Sequence, residues 1–120
     1  MCGIIGITSS KPVSSSILHS LKKLEYRGYD SAGIATIDNG IINEIKSLGR
    51  VDVLEKNISQ INLSGEVGIG HVRWATHGMP STINAHPHST ENISVVHNGI
   101  IENSVILKKS LMLFMAVKAG

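Results

Sequence analysis

Asn39-Gly40 lies between two strand-like runs, Ala32 to Asp38 and Ile41 to Leu48. Both turn residues tolerate positive φ, as a two-residue turn requires, so the pair predicts a tight β-hairpin. The rest of the chain must pack around that hairpin. Residues 3–8 (Gly-Ile-Ile-Gly-Ile-Thr) form a short apolar run, read as a strand buried on both faces. Val67 to Arg73 and Ile93 to His97 complete the predicted strands. Ser9, Ser10 and Pro12 predict a helix start, with proline in the first turn, where its missing N–H does no harm. Val13, Ile17, Leu18, Leu21 and Leu24 then fall on one helical face, and Gly28 is a plausible stop. After Gly49, the spacing of Val51, Leu54 and Ile58 predicts a short helix, and near Ile101 another helical pattern runs into Lys108-Lys109. There is no internal repeat, low-complexity tract or linker. Strands and helices mixed with hairpins predict an α+β sandwich rather than a doubly wound parallel sheet.

Composition narrows the function classes. Hydrophobic residues make up 42% and charged residues 17%, which suits a globular chain of one domain at most. Aromatics are only 3%, so Ile, Val and Leu must fill the core. The net charge is +2 and the only adjacent basic pairs are Lys22-Lys23 and Lys108-Lys109, which argues against a nucleic-acid partner. The run Leu111 to Val117 is too short to span a bilayer, and no basic-then-apolar leader precedes Cys2, so the chain reads as cytoplasmic with no membrane partner.

Cys2 is the only cysteine and follows Met1 directly. Its small side chain predicts removal of Met1, which would give one residue both a thiol and a free α-amine. A thiol near pKa 8.5 and an amine of about 7.7–8.0 both sit close to working pH. The amine can take the thiol proton, so nucleophile and base come from one residue. The competing reading is a small apolar core residue.

Three later stretches carry unusual polar groups. Glu25-Tyr26-Arg27-Gly28-Tyr29-Asp30-Ser31-Ala32-Gly33 is dense in polar residues between a helix and a strand, and by itself reads as a solvated turn with Arg–Asp pairing. His71-Val72-Arg73-Trp74-Ala75-Thr76-His77-Gly78 leaves a strand for a loop holding the only tryptophan. Arginine forks two N–H donors onto a carboxylate, and threonine or histidine adds a third bond, so a carboxylate-bearing substrate is chemically sensible there. His97-Asn98-Gly99 reads either as a hairpin turn or as an asparagine amide and a glycine N–H converging on an oxyanion. Among the six histidines, His86-Pro87-His88 is the closest pair, and an extended backbone would point its two rings to opposite sides. With no Cys-x-x-Cys or His-Glu-x-x-His spacing, no metal site is expected.

Taken together, CGIIG at residues 2–6, RGYDSAG at 27–33, RWATHG at 73–78, NAHPH at 84–88 and HNGIIEN at 97–103 resemble a class II glutamine amidotransferase domain, an N-terminal-nucleophile hydrolase. Tyr29-Asp30-Ser31-Ala32-Gly33 places the resemblance with the isomerising glutamine–fructose-6-phosphate aminotransferases. Amidophosphoribosyltransferases and asparagine synthetases carry related but different residues there. The resemblance covers residues 2 to about 103 and implies a four-layer αββα sandwich. It implies L-glutamine as substrate, no cofactor and no metal. Cys2 would attack the glutamine side-chain amide with its own α-amine as base and acid, supplying ammonia for glucosamine 6-phosphate synthesis. Asn98 (side chain) and Gly99 (backbone N–H) would form the oxyanion hole. Arg73, Thr76 and His77 would hold the α-carboxylate, and the 73–81 loop would close over the substrate, with Trp74 helping to gate ammonia. Arg27, Tyr29 and Asp30 would line or support the pocket, and His86 and His88 would be scaffold.

The resemblance stops after Asn103. The family's later Thr-Asp-Thr-Glu-like motif, whose aspartate grips the α-ammonium, has no counterpart here, since Glu102 is the last acidic residue. The sequence therefore predicts a sandwich truncated to about its first half, a divergent tail over 104–120, and no isomerase domains. A separate chain carrying the missing half and the isomerase domains is the partner that would complete it. The alternatives are a non-catalytic remnant of a truncated gene, or the glutaminase domain of another class II amidotransferase.

Overall fold

The computed structural model describes residues 2–61, 63–74 and 79–119, with side chains to 116. The elements run β1 (Gly3–Thr8), α1 (Ser14–Leu24), a 3₁₀ turn (Glu25–Arg27), β2 (Ser31–Asp38), β3 (Ile41–Leu48) and α2 (Val51–Ile58). They continue with β4 (Val67–Arg73), the short pair β5 (His88–Ser89) and β6 (Ser94–Val95), and α3 (Ser104–Ala119). Four strands form one sheet in the order β1-β4-β2-β3, and every neighbouring pair is antiparallel. The predicted hairpin is β2–β3, with Asn39 at φ 51° and Gly40 at φ 77° as its turn.

The pleat sorts the sheet into two faces. Gly3, Ile5 and Ile7 of β1, Gly68, Gly70 and Val72 of β4, and Ala32, Ile34 and Thr36 of β2 share the face covered by α1. Two glycines make that contact close: a Cβ on Gly68 would lie 2.6 Å from Ile17 Cδ1, and one on Gly70 would lie 2.6 Å from Ile17 Cγ2. The predicted apolar face of α1 meets this surface, with Val13, Ile17 and Leu21 buried and Leu18 and Leu24 partly so. Val51 and Leu54 of α2 extend the same core alongside Ile45. Each fully buried Ile or Leu stabilises the layer by about 1.5–3 kcal/mol, which makes the α1–sheet contact the main support of the fold.

Helix boundaries follow tertiary ties rather than the sequence signals alone. The helix begins at Ser14, not at Ser9–Pro12, because Val13 N–H donates to Gly65 O (3.0 Å) and anchors the preceding segment beside β4. Its end passes through the 3₁₀ turn to Gly28, which is extended (φ −179°) rather than left-handed. Glycine is required there by crowding, since a Cβ would lie 2.5 Å from Arg73 C and 2.7 Å from Trp74 N. Glu25 of the turn accepts the Val51 N–H (Oε1, 2.9 Å), putting a carboxylate at the N-terminus of α2 and tying the 25–30 segment to that helix.

The opposite face of the sheet is covered at one end only. There Gly33 lies under His86 and Pro87, so closely that a Cβ would meet His86 O at 2.1 Å. At the other end an open apolar groove of about 310 Å³ is lined by residues including Ala35, Ile37, Ile42, Val67, Ile69 and Ile93. β1 is consequently not buried on both faces: its residues alternate, and Ile4 is exposed, because among the described residues only the α1 side of this strand has a covering layer. The strand expected over Ile93 to His97 shrinks to Ser94–Val95, whose partner β5 is equally short. The helix expected near Ile101 is α3, and its apolar side chains, among them Val105, Ile106, Leu111, Met112 and Leu113, are exposed. Among the described residues no helix is long and apolar enough to cross a membrane.

Candidate active site

The ladder fixes where Cys2 lies. Gly3 pairs with Val72, so Cys2 stands opposite Arg73, at the end of β4 and on the face away from α1. Trp74 follows, and its backbone holds the thiol from two sides: its N–H donates to Cys2 Sγ (3.4 Å), and the thiol approaches its carbonyl oxygen (3.7 Å). Asn98 completes the cluster from far along the chain, with Nδ2 donating to Cys2 O at 3.1 Å. An amide nitrogen carries two hydrogens, so this bond uses one donor of two. Gly99 follows at φ +158°, a conformation that favours glycine, and a Cβ there would come within 3.3 Å of His97 Nε2.

Arg73 is 8% exposed. One of its guanidinium nitrogens donates to Met79 O (3.3 Å), and Asn84 Nδ2 donates to the same oxygen (2.9 Å), so the arginine is tied to the turn at 79–85. Thr76 and His77, the other two expected carboxylate ligands, lie outside the described residues.

The 27–30 segment divides. Asp30 N–H donates to Arg73 O (3.0 Å), and Asp30 O accepts the Gly49 N–H (2.9 Å), which secures the end of β4. Tyr29 packs edge-on against Trp74 with ring centroids 5.4 Å apart, and its own ring is covered by Arg50. Arg27 instead lies over the Tyr26 ring, with its Nε buried and no partner for it among the described residues.

Histidines bring the site's two halves together in a way the spacing did not predict. The rings of His86 and His88 lie 4.4 Å apart rather than on opposite sides. His86 stacks on His71 at 4.2 Å. His71 is fully buried, and desolvation, opposed by its hydrogen bond to His97 and reinforced by Arg73, lowers its pKa to about 4. His86 is lowered to about 4 as well, first by desolvation and then by His71, His88 and Arg73. His88 shifts down too, from desolvation and the nearby Lys46. Among the described residues no group of three His, Cys, Asp or Glu side chains is placed to hold a metal ion. The contact of His71 with the 97–99 segment was not legible in the sequence, since 26 residues separate them.

No protein-family model matches the chain. The glutamine–fructose-6-phosphate aminotransferase (isomerising) of Agrobacterium fabrum is 55% identical over 111 residues, which are 92% of this chain and 18% of that protein. Its counterpart in Bartonella henselae is 55% identical over 112 residues, 93% of this chain and again 18% of the relative. This chain is similar to these aminotransferases over nearly its whole length. It matches the N-terminal, glutaminase part of the aminotransferases and spans about a fifth of their length. Solved amidotransferases share its N-terminal-nucleophile fold. The glutamine phosphoribosylpyrophosphate amidotransferase of B. subtilis, solved with ADP and GMP, aligns with a TM-score of 0.79 and 27% identity. That alignment takes in 93% of this chain and 25% of the other. A structure described as the allosteric regulatory enzyme of purine biosynthesis aligns at 0.81 and 28%, with the same shares. The α+β expectation holds. Of the four implied layers, the described residues supply one helical layer, one full sheet and the short β5–β6 pair.

Proposed function

We propose that this chain is the glutaminase portion of a glutamine–fructose-6-phosphate aminotransferase, with Cys2 as the nucleophile. The observation that carries the reading is the convergence of Cys2, Trp74 N–H and the Asn98 amide, across sequence separations of 72 and 96 residues, at one end of β4. The Cys2 thiol gives its proton to the α-amine, and the sulfur adds to the side-chain carbonyl carbon of L-glutamine. The resulting oxyanion is met by the second Asn98 N–H and the Gly99 N–H, donors worth roughly 2.7–4 kcal/mol each in acyl transfer. The C–N bond then breaks as the α-ammonium returns its proton to the departing nitrogen, releasing ammonia and leaving a thioester. Water cleaves the thioester to glutamate and regenerates the thiol.

Arg73 anchors the substrate α-carboxylate, aided by Thr76 and His77, while Tyr29 and Asp30 support the loop carrying Trp74. Arg27 supports the outer wall through Tyr26. Ammonia would pass to fructose 6-phosphate held by parts of the relatives that this chain does not span, on the same or a separate chain.

The test is to incubate the 120-residue chain with the diazoketone analogue 6-diazo-5-oxo-L-norleucine and to read intact and peptide masses. One label per chain on a Met-free Cys2, and none on Cys2→Ala, is the expected result. A soluble, Met-processed chain that stays unlabelled would refute the reading. Retention of Met1 blocks the α-amine and should slow labelling by about 10²–10⁴.

A further inference from the structure

The segment carrying Asn98 is exposed and lies outside the strands of the described residues, yet its amide must be positioned beside Cys2 with a tolerance of a fraction of an ångström. Two buried or half-buried histidines hold it. His71 Nε2 lies 3.1 Å from His97 O, and His97 N lies 3.3 Å from His86 Nδ1. The backbone of the residue preceding Asn98 is therefore gripped at both its N–H and its C=O, by two rings stacked on each other. Hydrogen-bond chemistry fixes the tautomers. A carbonyl only accepts, so His71 carries its proton on Nε2; a backbone N–H only donates, so His86 Nδ1 is bare.

We propose that His71 and His86 act as positioning residues, clamping His97 so that Asn98 faces Cys2, and that the clamp requires an unprotonated Nδ1 on His86. The inference rests on the reading of Asn98 as an oxyanion donor. Protonating His86 would set Nδ1–H against the His97 N–H, two donors face to face, and release one jaw. Protonating His71 leaves its Nε2–H bond intact but adds a proton at Nδ1, which is buried with no partner among the described residues. The groups that bear on His86 all oppose its protonation: His71 and Arg73 from β4, its neighbour His88, and His97. Lys46 and Glu44 of β3 act on His88 beyond it, with opposite signs. The clamp is thus closed at neutral pH and opens only in acid.

The experiment compares His86→Asn, whose Oδ1 takes the place of Nδ1 as acceptor, with His86→Leu, which keeps bulk and loses the acceptor. Diazoketone labelling of Cys2 in the full chain should fall about tenfold in His86→Leu, the effect of one lost hydrogen bond, and stay near wild type in His86→Asn. Below about pH 5 the wild type should lose labelling relative to His86→Asn, because of the two side chains at position 86 only the histidine takes up a proton. Thermal unfolding of both variants separates misfolding from mispositioning. The His97 amide signal in ¹⁵N-correlated NMR reports the clamp without any reaction: it should move in His86→Leu and hold in His86→Asn. Equal labelling and equal His97 shifts in the two variants would overturn the proposal. Asn98→Ala tests the underlying reading separately: if it labels like wild type, the oxyanion role falls, while the His97 signal still decides the clamp.

Discussion

Adding one methyl group at Gly28 should loosen the nucleophile's cradle without touching the nucleophile. The new Cβ would lie 2.5 Å from Arg73 C, 2.7 Å from Trp74 N and 2.8 Å from Arg73 O, all backbone atoms. Ordinary van der Waals contact begins near 3.4 Å, so the 28 and 73–74 segments must separate by about 0.9 Å. Backbone cannot swing aside as a side chain does, and overpacking of this kind costs about 1–3 kcal/mol. For a chain of this size each kcal/mol lowers the melting temperature by roughly 4 °C. A comparable displacement would carry the Trp74 N–H from 3.4 Å to beyond 4 Å from Cys2 Sγ, outside hydrogen-bond range even for sulfur. Gly28→Ala should therefore melt about 4–12 °C lower and label Cys2 more slowly than wild type at matched temperature. Gly6→Ala is the control, since its Cβ would meet only Ile69 Cγ2 at 4.0 Å. A Gly28→Ala chain with wild-type melting and labelling, or a Gly6→Ala chain equally impaired, would refute the argument.

Acid should destabilise the fold through His71. Its folded pKa of about 4 lies below the ordinary 6.5, so the folded state binds fewer protons between these values; stability is full above pH 6.5 and declines as pH falls toward 4. A displacement of that size is worth about 3 kcal/mol at most, and urea titrations of wild type and His71→Gln should converge as pH drops, with parallel curves counting against the buried histidine as the cause. The exposed apolar residues of α3 should drive concentration-dependent association, so Leu113→Lys with Met112→Glu should lower the apparent mass in light scattering. An unchanged mass would mean that α3 is not the adhesive surface.

The parts of the fold legible in the sequence are those set by local chemistry. Asn39-Gly40 specified its hairpin because positive φ at two consecutive residues leaves few alternatives. The α1 stripe from Val13 to Leu24 was legible because helical period and burial coincide. Where tertiary contacts decide, local signals misled. Gly28 read as a helix stop, but its lack of a side chain is demanded by a strand 45 residues away. Residues 3–8 are apolar enough for two-sided burial, yet the described residues supply one covering layer to bury them. Motif resemblance picked out Cys2, Trp74 and Asn98, which the structure brings together. The grip of His71 and His86 on His97 escaped, because which ring nitrogen faces which backbone atom is set by packing, not by spacing.

The site's contacts also bear on the order of folding. The β2–β3 hairpin and the approach of α2 to β3 close short loops, which form quickly. Cys2 meets Trp74 only after β1 has joined β4, and meets Asn98 only when a 96-residue loop has closed. Contacts of such separation come late and slowly. The reactivity of one thiol should thus rise last in a refolding time course, after helical and hairpin signals have settled. Cys2 is in effect a clock at the end of the pathway.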